Sequence, residues 1–350
     1  MRDSPQLRLR LPHWGWFLLA TFALLVVTAG LSIWLPYHRE QQVIQRIRSW
    51  GGGVETEIIG PEWLQNLLGE DRAKEFKVLQ RVIFVFLSGS AITDAEIAHF
   101  SELKNLRVLK LDGTPVTDAG LAHLNRLRNL RLLFLDRTAL TNAGLPQLTR
   151  LTNLELLCLS ETAVTDAGLA HLTHTNLEIL ELDRTAVTDA GLQHLSEMPK
   201  LRELHLSGTA VTDAGLAHLS RLTTLRELYL DRTAVTDAGL MHLTTLTNLE
   251  WLVLDETAVT DAGLAGVSGF ANLYLLSLSK TANTNNGLAD LGRLTKLQSL
   301  NLEFTAVTNA GLIHLTTLTN LEYLDLEGSA VTDNGIEGLQ NALPICNIRR

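Results

Sequence analysis

The stretch LRELYLDRTAVTDAGLMHL (225–243) joins two hydrophobic periods within one short segment. Leu225, Leu228 and Leu230 read L-x-x-L-x-L, and the last two leucines lie two apart, the spacing that puts side chains on one face of a strand. Thr233 follows, then V-T-D-A-G-L-x-H-L. Thr236 or Asp237 is a natural helix N-cap, and Val235, Leu240, Leu243 and Leu246 recur at helix-compatible spacing. The segment therefore encodes a strand, a turn and a short helix. Such a unit cannot bury its apolar face alone.

The same unit recurs on both sides, as in LRVLKLDGTPVTDAGLAHL (106–124) and LRELHLSGTAVTDAGLAHL (201–219). Its marker Thr or Ser falls at Ser90, Thr114, Thr138, Thr162, Thr185, Thr209, Thr233, Thr257, Thr281, Thr305 and Ser329. Nine of the ten spacings are 24 residues and one, Thr162 to Thr185, is 23. A period of about 20–29 residues with an L-x-x-L-x-L core is that of a leucine-rich repeat. The expected fold is an α/β leucine-rich-repeat solenoid, a right-handed horseshoe with a parallel β-sheet on the concave face and short helices on the convex face, preceded by one transmembrane helix. The marker hydroxyls are expected to bond the turn backbone of a neighbouring coil, forming a ladder.

Composition narrows the rest. Hydrophobic residues make up 46 % and aromatics only 5 % of the 350 residues, which excludes a disordered chain. Two cysteines exclude a disulfide framework or a structural zinc cluster. The net charge of −9 carries no nucleic-acid footprint. Residues 1–50 hold six Lys/Arg and two acids, a net of +4, which leaves −13 on the remainder. Within that basic region Trp14–Leu35 has no charge. At ~1.5 Å per residue such a helix is about 33 Å long, enough to cross a bilayer core. Trp14 and Trp16 at one end, and Trp34 and Tyr37 at the other, read as an interfacial belt. The competing reading, a cleaved signal peptide, calls for an apolar region of about 7–15 residues and an A-x-A-like site, and neither is well met. A retained anchor is expected, with the N-terminus cytoplasmic and the repeats outside, although Lys and Arg near the two ends balance at three each. The organisation is then a basic tail (1–13), a membrane helix (14–35), a linker and N-terminal cap (36–81), eleven repeats (82–341) and a C-terminal cap (342–350).

The units resemble bacterial leucine-rich repeats with a helical convex side, akin to those of F-box adaptor proteins. Tandem VTDAGLxHL units in particular resemble the repeat proteins of planctomycete-type bacteria. A segment like 47–76, with GPEWLQNLLGE (60–70), precedes the array in those proteins, and an ending like ALPICNI (342–348) follows it. The resemblance spans roughly residues 43–350. It implies a capped solenoid with inferred binding roles and no established enzymatic activity. No F-box is visible, so an adaptor role in ubiquitin transfer is not implied.

The caps are expected to include a strand near Val54–Ile59, a helix starting at Pro61-Glu62-Trp63, and a closing strand over Cys346–Arg349 after Pro344 stops the last helix. Two repeats depart from the pattern. LTHTNL (172–177) lacks one core leucine. Asn283 stands where neighbouring units carry Val259 and Val307, and a buried Asn costs ~1–3 kcal/mol unless hydrogen-bonded. It is therefore expected to turn outward, or else to mark a hinge or docking site near Gly266–Asn286.

The strand residues that flank the core leucines face the groove. From Phe84 to Ile179 they form an apolar patch, which on a monomer argues for a binding surface; the alternative is that a terminal segment covers it. The residues expected to contact a protein partner are Phe86, Leu132, Phe134, Leu156, Tyr229, Trp251, Phe304 and Tyr323, with the pairs Asp183-Arg184 and Asp231-Arg232. A glycan stacking on the groove aromatics is the second reading. An acidic row beside them (Asp112, Asp136, Asp183, Asp231, Asp255, Glu303, Glu327) suits calcium less than a solvated face partly neutralised by the adjacent arginines. Cys158 reads as a groove-lining side chain with no base partner to assign. His99, His123, His171, His194, His218, His242 and His314 share one convex position, too widely spaced between helices about 8–10 Å apart to share a metal. No G-x-S-x-G, P-loop, H-E-x-x-H or C-x-x-C motif is present. No enzyme activity and no cofactor are expected.

Overall fold

A computed structural model describes residues 13–59 and 76–350. Its centre is one sheet of thirteen strands in sequence order. They are β1 (Gly53–Ile58), β2 (Gln80–Phe86), β3 (Val108–Lys110), β4 (Leu132–Phe134), β5 (Leu156–Cys158), β6 (Ile179–Glu181), β7 (Glu203–His205), β8 (Glu227–Tyr229), β9 (Trp251–Val253), β10 (Leu275–Ser277), β11 (Ser299–Asn301), β12 (Tyr323–Asp325) and β13 (Asn347–Arg349). From β2 onward every pairing is parallel, and the central leucines of successive strands lie in register, Leu228 beside Leu204 and Leu252. Each coil then turns, enters a short α- or 3-10 helix, and returns to the next strand. The inward leucines are almost wholly buried and form one continuous core from Val43 to Cys346.

The coil-to-coil bond differs from the one expected. The marker threonines are buried, but each donates to a carbonyl of its own coil, as Thr233 Oγ1 does to Leu230 O at 2.6 Å. The ladder between coils is made by the Thr-Asp of VTDAG. The Asp237 carboxylate accepts from Thr260 N at 2.7 Å and from Thr260 Oγ1 at 2.6 Å, 23 residues along the chain. Thr260 in turn caps its own helix, accepting from Ala262 N at 3.3 Å. Where Asn142 replaces the Asp, its amide donates to Thr165 Oγ1 at 2.8 Å, and its carbonyl still accepts from Thr165 N. The adjoining glycine admits this approach: a Cβ on Gly263 would stand 2.5 Å from Asp237 Oδ1 and 3.0 Å from Leu240 Cδ1.

The ends are closed differently. At the N-terminus one helix, α1, runs His13–Ser49 through Pro36. Residues 16–32 of it lie exposed, whereas Glu40, Val43, Ile44 and Ile47 are buried against the first coil. β1 pairs antiparallel with β2. The Glu40 carboxylate accepts from Val82 N at 3.2 Å and faces the buried Arg81 guanidinium at 3.9 Å. At the C-terminus the last helix (Asp333–Ala342) ends before Pro344, and β13 adds in parallel to β12. The helix expected at Pro61 and the tail 1–12 lie outside the described residues.

Asn283 does not turn outward. It is fully buried at the valine position. Its Oδ1 accepts from Thr281 Oγ1 at 2.7 Å, while its Nδ2 has no partner. The backbone here is tied to the next coil, Ala306 N donating to the Asn283 carbonyl at 3.1 Å.

Candidate concave binding face

Three residue rows cross the exposed face of the sheet, and their side chains follow directly from strand alternation. The first row begins with Phe84, Val108, Leu132, Leu156 and Ile179, all half-buried. In the second, Phe86 is 37 % exposed and packs edge-on against Phe84, with ring centroids 3.8 Å apart. Lys110 Nζ sits 4.5 Å above the Phe134 ring, a cation–π contact that leaves the apolar strip continuous. The first row of β2 to β6, with Phe86 and Phe134 of the second, thus presents aliphatic and aromatic surface, and Glu181 on β6 begins the acidic part.

From β7 the rows change character. Glu203 binds His205 Nε2 at 2.8 Å, and His205 stacks on Tyr229 with centroids 3.9 Å apart. Tyr229 OH donates to Glu227 at 3.0 Å. Trp251 lies parallel to Tyr274 at 6.4 Å. Tyr274 was not among the expected contacts; its position, just before a strand, is held by Arg226 and Glu250 in the preceding units. Tyr323 completes the row on β12, its OH 3.0 Å from Asp325. Phe86 and Tyr323 are ten strands apart, about 48 Å at ~4.8 Å per strand, so one small ligand does not touch both.

The third row carries the acids. Asp136, Asp183 and Asp231 line a hollow of about 380 Å³, with Arg137, Arg184 and Arg232 on its rim. The arginines occupy left-handed turn positions, with φ of 53° to 55°, as Phe304 does at 54°. That turn splays them away from the aspartates. Arg184 pairs with Glu161 at 3.1 Å and Arg232 with Glu256 at 3.2 Å, and neither pairs with the acid that precedes it. For Arg184 and Arg232 the pairing expected with the preceding acid is thus made with a neighbouring coil, whereas the Arg137 charge still acts on Asp136. The aspartates take polar donors: Asp183 accepts from Ser207 N at 2.7 Å, and Asp231 accepts from Ser207 Oγ. Burial raises the pKa of Asp183 and of Asp255. Asp136 is pushed up to about 6 by burial, with Glu181 and Asp112 adding like charge against the Ser160 N–H bond. Burial works against a proton on His205, but Glu203 and Asp183 outweigh it and the imidazole pKa rises.

Cys158 is buried at the floor of this region. Its Sγ and carboxylate oxygens of Asp136 and Glu181 lie within 4.8 Å of one another. Those are the donor types of a small metal site, on a face where the sequence suggested none. Burial and both carboxylates hold the thiol well above its ordinary pKa, so an ion there would have to displace its proton. Cys158 and Cys346 are both free thiols.

On the convex side His123, His194, His218 and His242 stand in the last turns of their helices.

The fold is shared with solved structures. An internalin (inlF) from Listeria monocytogenes superposes with a TM-score of 0.52 at 20 % identity, over 82 % of this chain and 93 % of that one. Internalin C2 (inlC2) of the same organism gives 0.46 at 28 % identity, over 57 % and 83 % of the two chains. A leucine-rich-repeat protein of Leptospira interrogans gives 0.46 at 18 %, over 72 % and 80 %. No curated protein sequence matches. The family described as leucine-rich repeat region matches residues 85–346. The thirteen-stranded sheet, the 24-residue coils and this match over most of the chain agree: the chain belongs to the leucine-rich-repeat family.

Proposed function

We propose that the chain is a membrane-anchored scaffold that binds a protein partner through its concave face and catalyses no reaction. The observation that carries this reading is the apolar strip of β2 to β6, with Phe86 more than one-third exposed, continuing into the stacked aromatics of β8 and β9. Aromatic anchors beside charged groups are the composition of protein-binding hot spots. Phe86, Leu132, Phe134 and Leu156 supply the apolar anchors. Tyr229, Trp251 and Tyr323 supply the aromatic ones, and Asp183, Arg184, Asp231, Arg232 and Phe304 form the rim. The anchor is α1, which is long and apolar enough to cross a bilayer, over Trp14–Leu35 with the N-terminus cytoplasmic.

The test is photo-crosslinking in native envelope with a photoreactive residue placed at Phe134, at Trp251, and at convex His218 as a control. A discrete protein adduct from the concave positions alone, reduced by Phe134→Ala or Trp251→Ala, supports the reading. Capture of a polymer without protein favours a glycan ligand. Equal adducts from His218 remove the concave assignment.

A further inference from the structure

The direction of α1 assigns a second surface, at the edge of the array where the strands begin. α1 runs alongside β2 in the same sense. Ile33 O accepts from Arg81 Nη2 at 3.2 Å at the start of the strand. Glu40 follows at Val82, and Ile47 reaches Leu87 beyond the strand's end, where both crowd Gly52. The exposed apolar half of the helix therefore leaves the array past the strand-start edge. Read as a membrane span, that half puts the bilayer surface level with residues 33–37 and hence with this edge. Because α1 follows the strand direction, the long axis of the array lies along the bilayer.

The edge so placed is basic. Lys104, Arg126 and Arg128 belong to the helix-to-strand loops before β3 and β4, Arg150 ends the 3-10 helix before β5, and all four are exposed. With Asn125 and Thr152 they line an open hollow of about 890 Å³. The neighbouring acids are already occupied: Glu102 by Arg39, Glu57 by Arg107, and Glu155 by Arg131. No carboxylate among the described residues pairs with the four cations. They stand one to three strand steps from α1, about 5–15 Å at ~4.8 Å per step, within roughly a Debye length or two of it. The opposite edge, where strands end, carries Asp136, Asp183, Asp231 and Asp255.

We infer that this basic edge rests on anionic phospholipid headgroups of the membrane that α1 crosses, and that it holds the array edge-down with its acidic edge away from lipid. The inference builds on the membrane span proposed above and not on its orientation: it needs only that the leaflet facing the array carries anionic lipid, and its physical basis is the attraction of juxtamembrane Lys and Arg to such lipid.

The experiment uses the full chain reconstituted in nanodiscs of phosphatidylcholine alone or mixed with phosphatidylglycerol. A fluorophore on Thr152→Cys or Lys280→Cys reports collision with a headgroup-attached quencher. Several-fold stronger quenching at 152 than at 280 is expected with phosphatidylglycerol, diminished by salt. It should be lost when Lys104, Arg126, Arg128 and Arg150 are all changed to Gln. Equal quenching at both edges, or no dependence on anionic lipid, would overturn the inference while leaving the anchor intact. Failure of the wild-type chain to float with liposomes in alkaline carbonate would remove the anchor reading and this inference with it.

Discussion

Within each coil, the residues that build the solenoid and those that face the groove are separate sets. Between 106–124 and 225–243 the segment V-T-D-A-G-L is unchanged, while the strand residues Val108 and Lys110 become Glu227 and Tyr229. The constant set makes the leucine core and the Asp-to-Thr bonds between coils. The variable set makes a face that runs from apolar at β2 to acidic and aromatic beyond β6. This division lets the groove change without touching what holds the coils together.

The largest expected break of that division is in the core. Leu228 is fully buried between Leu204 and Leu252. Leu228→Ala should cost about 2–5 kcal/mol through lost burial and an unfilled cavity, read as a fall in the urea midpoint. Tyr229→Ala, one residue away on the groove, should cost far less. Equal losses at the two positions would mean that the groove side chains are also structural.

Next comes the clamp between coils. Asp237→Ala removes two acceptors and leaves Thr260 N without a partner, a loss of about 1–3 kcal/mol. Gly263→Ala should weaken the same contact from the other side, since its Cβ would press on the Asp237 carboxylate. Removing the carboxylate also removes the clash. The double variant should therefore lose less than the sum of the singles; strict additivity in denaturant titrations would show that the two residues act separately.

How far the sequence alone reaches follows from the same division. Period, core leucines, helix caps and both closing strands were legible because each repeats or stops a pattern visible along the chain. The clamp was not. A bond to the same coil and a bond to the next share one 24-residue period, so the pattern cannot say whether Thr233 or Thr236 reaches across. The amphipathic stretch from residue 43 was legible as part of the cap, but its docking was not: Glu40 finds Arg81 and Val82 only in three dimensions. The groove residues were placed row by row, yet the Tyr274 stack and the meeting of Cys158 with Asp136 and Glu181 depend on side-chain reach that residue spacing does not encode.

Asn283 sharpens the point, being a variable residue in a constant position. Its buried Nδ2 has no partner, although its Oδ1 does. Asn283→Val restores the pattern of Val259 and Val307 and removes the unsatisfied donor, and Thr281 Oγ1 keeps its bond to Leu278 O. The variant should be more stable by about 1–2 kcal/mol. Hydrogen exchange should fall in coils 266–286. A loss of stability would instead identify the asparagine as a required part of the core.

The smallest effect is electrostatic and belongs to the groove alone. The folded pKa of Asp136, about 6, lies above the ordinary aspartate value of 3.8 because burial and the Glu181 and Asp112 carboxylates disfavour its charge. The folded protein therefore binds this proton more tightly than the unfolded chain does. The resulting stabilisation is complete below pH 3.8, declines as pH rises, and is lost once pH passes about 6. Asp183, Asp255 and Glu227 shift in the same direction. Asp136→Asn keeps an oxygen for the Ser160 N–H and removes the titration. Its urea midpoint should exceed that of the wild type at pH 7.5, and the difference should close as pH falls toward 4. A gap that stayed constant across this range would mean that the groove carboxylates are solvated well enough to ionise without strain, and that the acidic half of the face imposes no cost on the coils that carry it.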